Sequence, residues 1–158
     1  MSKNKKRLKV LLGLFVAGIL IAGSIVFYLF NMPHRNVQDT AADAAINVEQ
    51  IVNEYLQNSE LANAKYLDAE GESKILEVTG VVSEISEDFN GQQVVLLKSE
   101  MLEAGVSCTF TPETNESVST IKIGDKIVVK GVIRSGASYD EDLEMYEHVI
   151  MEKCSIAS

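Results

Sequence analysis

The sequence predicts a mainly β domain closed into a small barrel behind a helical N-terminus, and three observations predict it. First, Glu77–Val82 and Val129–Ile133 are apolar β-runs interrupted by Gly80 and Gly131. A glycine within a strand removes the side chain that would obstruct a sharp coil, which is where a barrel wall bends. Second, from Ile75 onward five alternating or β-branched runs are separated by turn residues. Third, the one helical signal among them falls between the third run and the fourth, so the order is three strands, a helix and two strands.

The chain begins with Lys3, Lys5, Lys6, Arg7 and Lys9 and no acid, and Val10–Phe30 follows without a charged residue. At 1.5 Å per residue that run is roughly 31 Å long, enough to cross a bilayer core. Basic residues before it predict a cytoplasmic N-terminus and place the remainder on the extracytoplasmic, periplasmic side of the cytoplasmic membrane, as a single-pass protein. A cleaved signal is the alternative, with small residues at Ala22-Gly23-Ser24. The apolar run outlasts an ordinary signal core, and no cysteine follows to accept lipid, which favours a retained anchor. Residues 1–31 are therefore expected to be a basic tip and a transmembrane helix, with Tyr28 as an interfacial aromatic.

Residues 32–66 read as a spacer and a helical arm. Pro33 stops the first helix. Val48, Ile51, Val52, Tyr55 and Leu56 then recur at helical spacing within about Thr40–Gln57. Ser59 is placed to cap a second short helix holding Leu61 and Ala62. Because an isolated amphipathic helix of this length is marginal in water, the arm is expected to pack on the domain after it. An interaction helix is the alternative.

Residues 67–158 form the predicted barrel. The loop Asp68–Lys74 leads into a strand over about Ile75–Ser86, and Asn90-Gly91 supplies a hairpin turn to the return strand Val94–Lys98. Ser99–Gly105 connects to the alternating strand Val106–Phe110. Thr111, Pro112 and Glu113 carry first-turn chemistry for a short helix with Val118 and Ile121. A turn at Lys122–Lys126 precedes the strand Ile127–Arg134, and a long acidic loop precedes the last strand, His148–Ile156. This is the order of the OB-fold, a five-stranded Greek-key barrel with a short helix between strands three and four.

Three of these segments, Ile75–Val82, Val106–Phe110 and Ile123–Gly131, resemble the tRNA_anti-like OB-fold proteins. The resemblance covers about Tyr66–Ile156. It implies the OB fold and, through the family's likeness to anticodon-binding domains, an oligonucleotide-binding role.

Charge argues against that role. All 23 acidic residues follow position 30 but only nine basic ones do, which leaves −14 on the exported part. Nucleic-acid affinity rests on lysine and arginine displacing counterions from phosphate. The basic residues Lys98, Lys122, Lys126, Lys130 and Arg134 alternate mostly along the fourth strand and read as balancing an acidic surface. The aromatics Phe89, Tyr139 and Tyr146 are sparse for base stacking, and Phe110 shares the inward phase of Val106 and Cys108.

Catalysis finds no constellation. His34 and His148 are the only histidines, and neither sits in a triad motif. Cys108 and Cys154 are read as small buried hydrophobes, Cys154 in phase with Ile150 and Ile156, with a disulfide as the alternative in an oxidising compartment. No C-x-x-C pair points to redox chemistry. No enzyme activity, cofactor or resident metal is expected.

The densest chemistry lies in the loop before the last strand: Asp140, Glu141, Asp142 and Glu144, flanked by Tyr139 and Tyr146. These six are the candidate ligand-binding residues, suited to a protein, peptide or small ligand. Asp140 and Asp142 also match the first ligand positions of a calcium loop. Met145 stands where its turn glycine belongs, however, and Glu152 is one residue beyond the bidentate position. The expected function is a membrane-anchored, extracytoplasmic OB binding module, with an oligonucleotide-binding domain and a calcium-responsive module as alternatives.

Overall fold

The longest strand organises the barrel because it serves two neighbours in turn. In the computed structural model, which describes residues 3–30, 36–68 and 73–157, the chain divides into Met1–His34 and Arg35–Ser158.

The first unit is one helix, α1 (Lys3–Phe30, 28 residues). Within it the Ser24 hydroxyl donates to the Leu20 carbonyl at 2.8 Å, which satisfies the one hydroxyl in the middle of the apolar run. Side chains are described for residues 13–28. Among the described residues no helix is long and apolar enough to cross a membrane. The helix predicted over residues 1–31 is thus present as helical backbone, and the transmembrane span expected of it is not found among the described residues.

The second unit comprises β1 (Ala44–Asn47), α2 (Val48–Gln57), α3 (Ser59–Tyr66), β2 (Ile75–Glu87), β3 (Gln93–Lys98), β4 (Val106–Phe110), α4 (Asn115–Val118), β5 (Lys126–Ser135), β6 (Ser138–Asp140), β7 (Met145–Glu147) and β8 (Val149–Ile156). From Ile75 to Val81, β2 runs antiparallel to β5; from Val81 to Glu87 it runs antiparallel to β3. β3 continues to β4, β4 pairs parallel with β8, and β8 returns to β5, closing five strands.

Both glycines stand where this closure brings chains together. A Cβ on Gly80 would lie 2.5 Å from Val48 Cγ2 and 2.9 Å from Leu97 Cβ, at the point where β2 changes partner. On Gly131 it would lie 2.9 Å from Cys154 Sγ and 3.0 Å from the Glu152 carbonyl. The inside is filled by Leu76, Val78, Val82, Val95, Leu97, Val106, Cys108, Phe110, Val129, Ile133, Val149, Met151 and Cys154, all buried. α4 buries Val118 beneath them. The Thr114 hydroxyl ahead of α4 donates to the Cys154 carbonyl at 2.7 Å, and Asn115 accepts from the Gln93 amide at 2.9 Å.

The arm departs from expectation at its start. The predicted helix from Thr40 is shorter, because Ala44–Asn47 forms β1, parallel to Leu76–Thr79 of β2. The cause is an open edge: β3 stops at Lys98, opposite Val81, and leaves the first half of β2 without a neighbour on that side. Exposed strand edges are liabilities, and β1 covers this one. Asn47 then caps α2 by accepting from the Gln50 amide at 2.7 Å, and Asn58, rather than the expected Ser59, caps α3 by accepting from the Leu61 amide at 3.0 Å. Val48, Ile51, Val52 and Tyr55 of α2 and Ala62 and Tyr66 of α3 join the barrel core.

The last strand also differs in phase. Val149 and Met151 face inward, and Lys153 adopts φ 55°, which brings Cys154 inward after Met151. Ile150, expected on the inner face with Cys154, is only half-buried.

Candidate binding groove

The acidic segment is not a plain loop. Its ends pair as a two-stranded hairpin, Ser138 with Glu147, Tyr139 with Tyr146 and Asp140 with Met145. The facing rings of Tyr139 and Tyr146 meet with centroids 4.8 Å apart at 57°, a favourable tilted geometry. Ser138 donates its hydroxyl to Glu147. At the turn, Asp140 Oδ1 accepts from the amides of Asp142 at 2.9 Å and Leu143 at 3.0 Å, so this carboxylate organises the backbone. Among the described residues no group of three or more histidine, cysteine, aspartate or glutamate side chains is placed to hold a metal ion.

One side of the hairpin forms a cleft of about 460 Å³. Of the six predicted residues, Tyr139, Glu144 and Tyr146 line it; Asp140, Glu141 and Asp142 do not. Its opposite walls are Leu56, from the end of α2, and Met101, Leu102, Glu103 and Ala104, from the β3–β4 connection. Met101 is 78% exposed and Tyr139 48% exposed. Among the described residues, the only charged ones lining it are Glu103 and Glu144. Leu56 and Tyr139 also line a second cleft, of about 490 Å³, with Tyr55, Ser59, Glu60 and Ser138.

Sequence reasoning misses the wall residues. Leu56 belongs by spacing to the packed stripe of α2, yet it stands 37% exposed at the rim. Met101 lies in a connection with no periodicity, and an exposed methionine among polar residues is the available signal.

Behind the second cleft, Tyr55 is 2% exposed. Its hydroxyl is buried without a hydrogen-bond partner among the described residues. Burial, with Tyr66 and Glu54 nearby, pushes its pKa up to about 12, so it remains a protonated donor. Gly136 makes room for the ring, since any Cβ there would overlap it. Tyr66 donates to Glu54 at 2.7 Å, and Lys65 reaches the same carboxylate at 2.8 Å.

The remaining candidates are accounted for elsewhere. Lys130 donates to the Gln38 carbonyl at 3.0 Å, and Arg134 pairs with Glu152 at 3.3 Å, so two of the five basic residues are engaged locally. Phe110 is buried, as its phase predicts, while Phe89 is fully exposed at the β2–β3 turn. Cys108 and Cys154 are both buried free thiols. Burial, and then Cys108 beside it, pushes the Cys154 thiol well above its usual range, so it is not a thiolate at neutral pH. His34 lies outside the described residues.

Closed strand order, a parallel β4–β8 pair and a helix between the third and fourth barrel strands define an OB-fold protein. The chain belongs to the tRNA_anti-like family, whose model matches residues 1–142. It is similar to the crystal structure of a protein named a putative nucleic acid-binding lipoprotein, from Klebsiella pneumoniae subsp. pneumoniae MGH 78578, with TM-score 0.52 and 15% identity, covering 72% of this chain and 91% of that one. At that identity the likeness speaks for the fold. No curated protein matches the chain.

Proposed function

We propose that residues 35–158 are a non-catalytic binding module, held outside the cytoplasmic membrane by α1, that takes a protein or peptide segment carrying both apolar and basic side chains. The observation that carries this reading is the composition of the hairpin cleft: exposed Met101, Leu56 and Tyr139 beside Glu103 and Glu144, with no basic residue among the described residues of the lining. Aromatic and methionine side chains suit a binding surface, and like charge on both sides of the cleft selects an opposite charge on the partner.

The test uses two synthetic peptides of equal length, one alternating leucine with lysine and the other leucine with glutamate, titrated by fluorescence anisotropy. The basic peptide binds, and Glu103→Lys with Glu144→Lys weakens it by about tenfold, or 1.4 kcal/mol. Equal binding of both peptides, or indifference to the two substitutions, would sink the reading.

A second reading is oligonucleotide binding. The family name and the name of the Klebsiella protein favour it, as does Phe89 exposed on the β2–β3 turn beside the face where OB-folds meet single strands. It predicts a salt-sensitive shift with single-stranded DNA or RNA. No shift at low salt would remove it.

A further inference from the structure

Gly105 closes the segment that forms one wall of the groove, and it is held on both sides by the start of the last strand. Its amide donates to His148 Nδ1 at 3.0 Å. Its carbonyl accepts from the Val149 amide at 3.0 Å. Gly105 is buried, and its neighbour Ala104 is 1% exposed and lines the cleft. The position admits only glycine, because a Cβ there would meet the Leu97 carbonyl and lie 2.9 Å from Lys98 Cγ.

The chemistry of this contact is one-directional. A ring nitrogen that accepts an N–H bond must carry a free lone pair, so the neutral ring keeps its proton on Nε2. An imidazolium has N–H at both nitrogens and cannot accept. Protonation therefore sets two donors face to face and leaves a buried backbone amide without its acceptor.

We propose that His148 is a proton-operated latch on the groove wall: the neutral ring holds Gly105 and the segment Ser99–Gly105 in place, and protonation releases them. The charged groups facing the ring are Lys98 from β3 and Glu84 from β2. On the ring's own segment, Glu147 is turned to the Ser138 hydroxyl. Burial, then Lys98, hold the imidazole below its usual range, partly opposed by Glu84. A histidine lowered in the folded state stabilises that state fully above its ordinary pKa of about 6.5, and the contribution is lost as pH falls through the lowered value. The latch is thus closed at neutral pH and opens in mild acid. It needs no particular ligand, so it stands or falls apart from the peptide reading.

The test is amide hydrogen exchange of the full chain in detergent micelles between pH 7.5 and pH 5, corrected for intrinsic exchange rates. Protection at Gly105 is expected to drop by about tenfold across that range, as the ring gains its proton and the amide loses its acceptor. His148→Gln, whose amide oxygen can accept the same N–H bond and does not titrate, gives a flat profile. Lys98→Ala removes a repulsive cation and moves the transition to higher pH, which keeps the test decisive if the glutamine variant misfolds. A flat wild-type profile would overturn the latch, and so would a transition unmoved by both substitutions.

Discussion

Tyr55 shows most plainly what a single side chain contributes here. Its ring fills the space between α2 and the chain at Gly136, while its hydroxyl is buried without a partner among the described residues. Burying a polar group unpaired costs stability, whereas removing it and keeping the ring is close to neutral or favourable. Tyr55→Phe is therefore expected to keep the fold and raise stability by up to about 1 kcal/mol, read from the urea midpoint at unchanged m-value. A loss of more than about 1 kcal/mol would show instead that the hydroxyl has an acceptor in solution. Gly80 and Gly131 are legible from sequence because a glycine inside an apolar β-run marks a bend or a close approach of two chains. Tyr55 is legible only as core. The place of its ring depends on Gly136, 81 positions along the chain from it, and no local pattern carries that.

Among the elements, the five barrel strands are readable because each alternates or is β-branched and each is bounded by turn residues. β1 is not, since Ala44-Ala45-Ile46-Asn47 has no strand signal of its own, and its state is imposed by the unpaired edge of β2. The groove is half readable for a similar reason: Tyr139, Glu144 and Tyr146 are neighbours in sequence, but Leu56 and Met101 arrive from distant segments. α2 and α3 are joined by Glu54, which accepts from Gln50 at 3.1 Å, Lys65 at 2.8 Å and Tyr66 at 2.7 Å. Burial pushes this carboxyl up, but the bonds from Lys65, Tyr66 and Gln50 outweigh it and hold the group below its usual 4.5. Its contribution is therefore present above pH 4.5 and is lost as pH falls through the lowered value. Lys65 is 48% exposed, so solvent screens that partner and the paired carboxylate is worth only about 1 kcal/mol. Glu54→Gln should lower stability by about that amount at pH 7 and by nearly nothing at pH 3, in parallel urea titrations. An undiminished difference at pH 3 would mean that the glutamine disturbs packing and that charge is not the cause.

The charge of the whole molecule is divided as sharply as its structure. Five basic residues and no acid precede the apolar run, while nine basic and 23 acidic residues follow position 30. On the proposed membrane-anchored reading, a basic flank kept on the cytoplasmic side would place the acidic unit outside. α1 runs unbroken from Lys3 to Phe30, the basic residues of the tip included. Protease added to intact spheroplasts is therefore expected to attack residues 35–158, beginning at exposed connections such as the hairpin tip near Leu143, while a cytoplasmic marker survives. Reversing the flank, with Lys3, Lys5, Lys6, Arg7 and Lys9 changed to Glu and basic residues added after Phe30, should protect the acidic unit until the cells are lysed. If the wild-type unit is already protected in intact spheroplasts and cut only after lysis, the orientation is the opposite one. The groove would then face the cytoplasm, where nucleic acid is abundant, and oligonucleotide binding would become the stronger of the two readings.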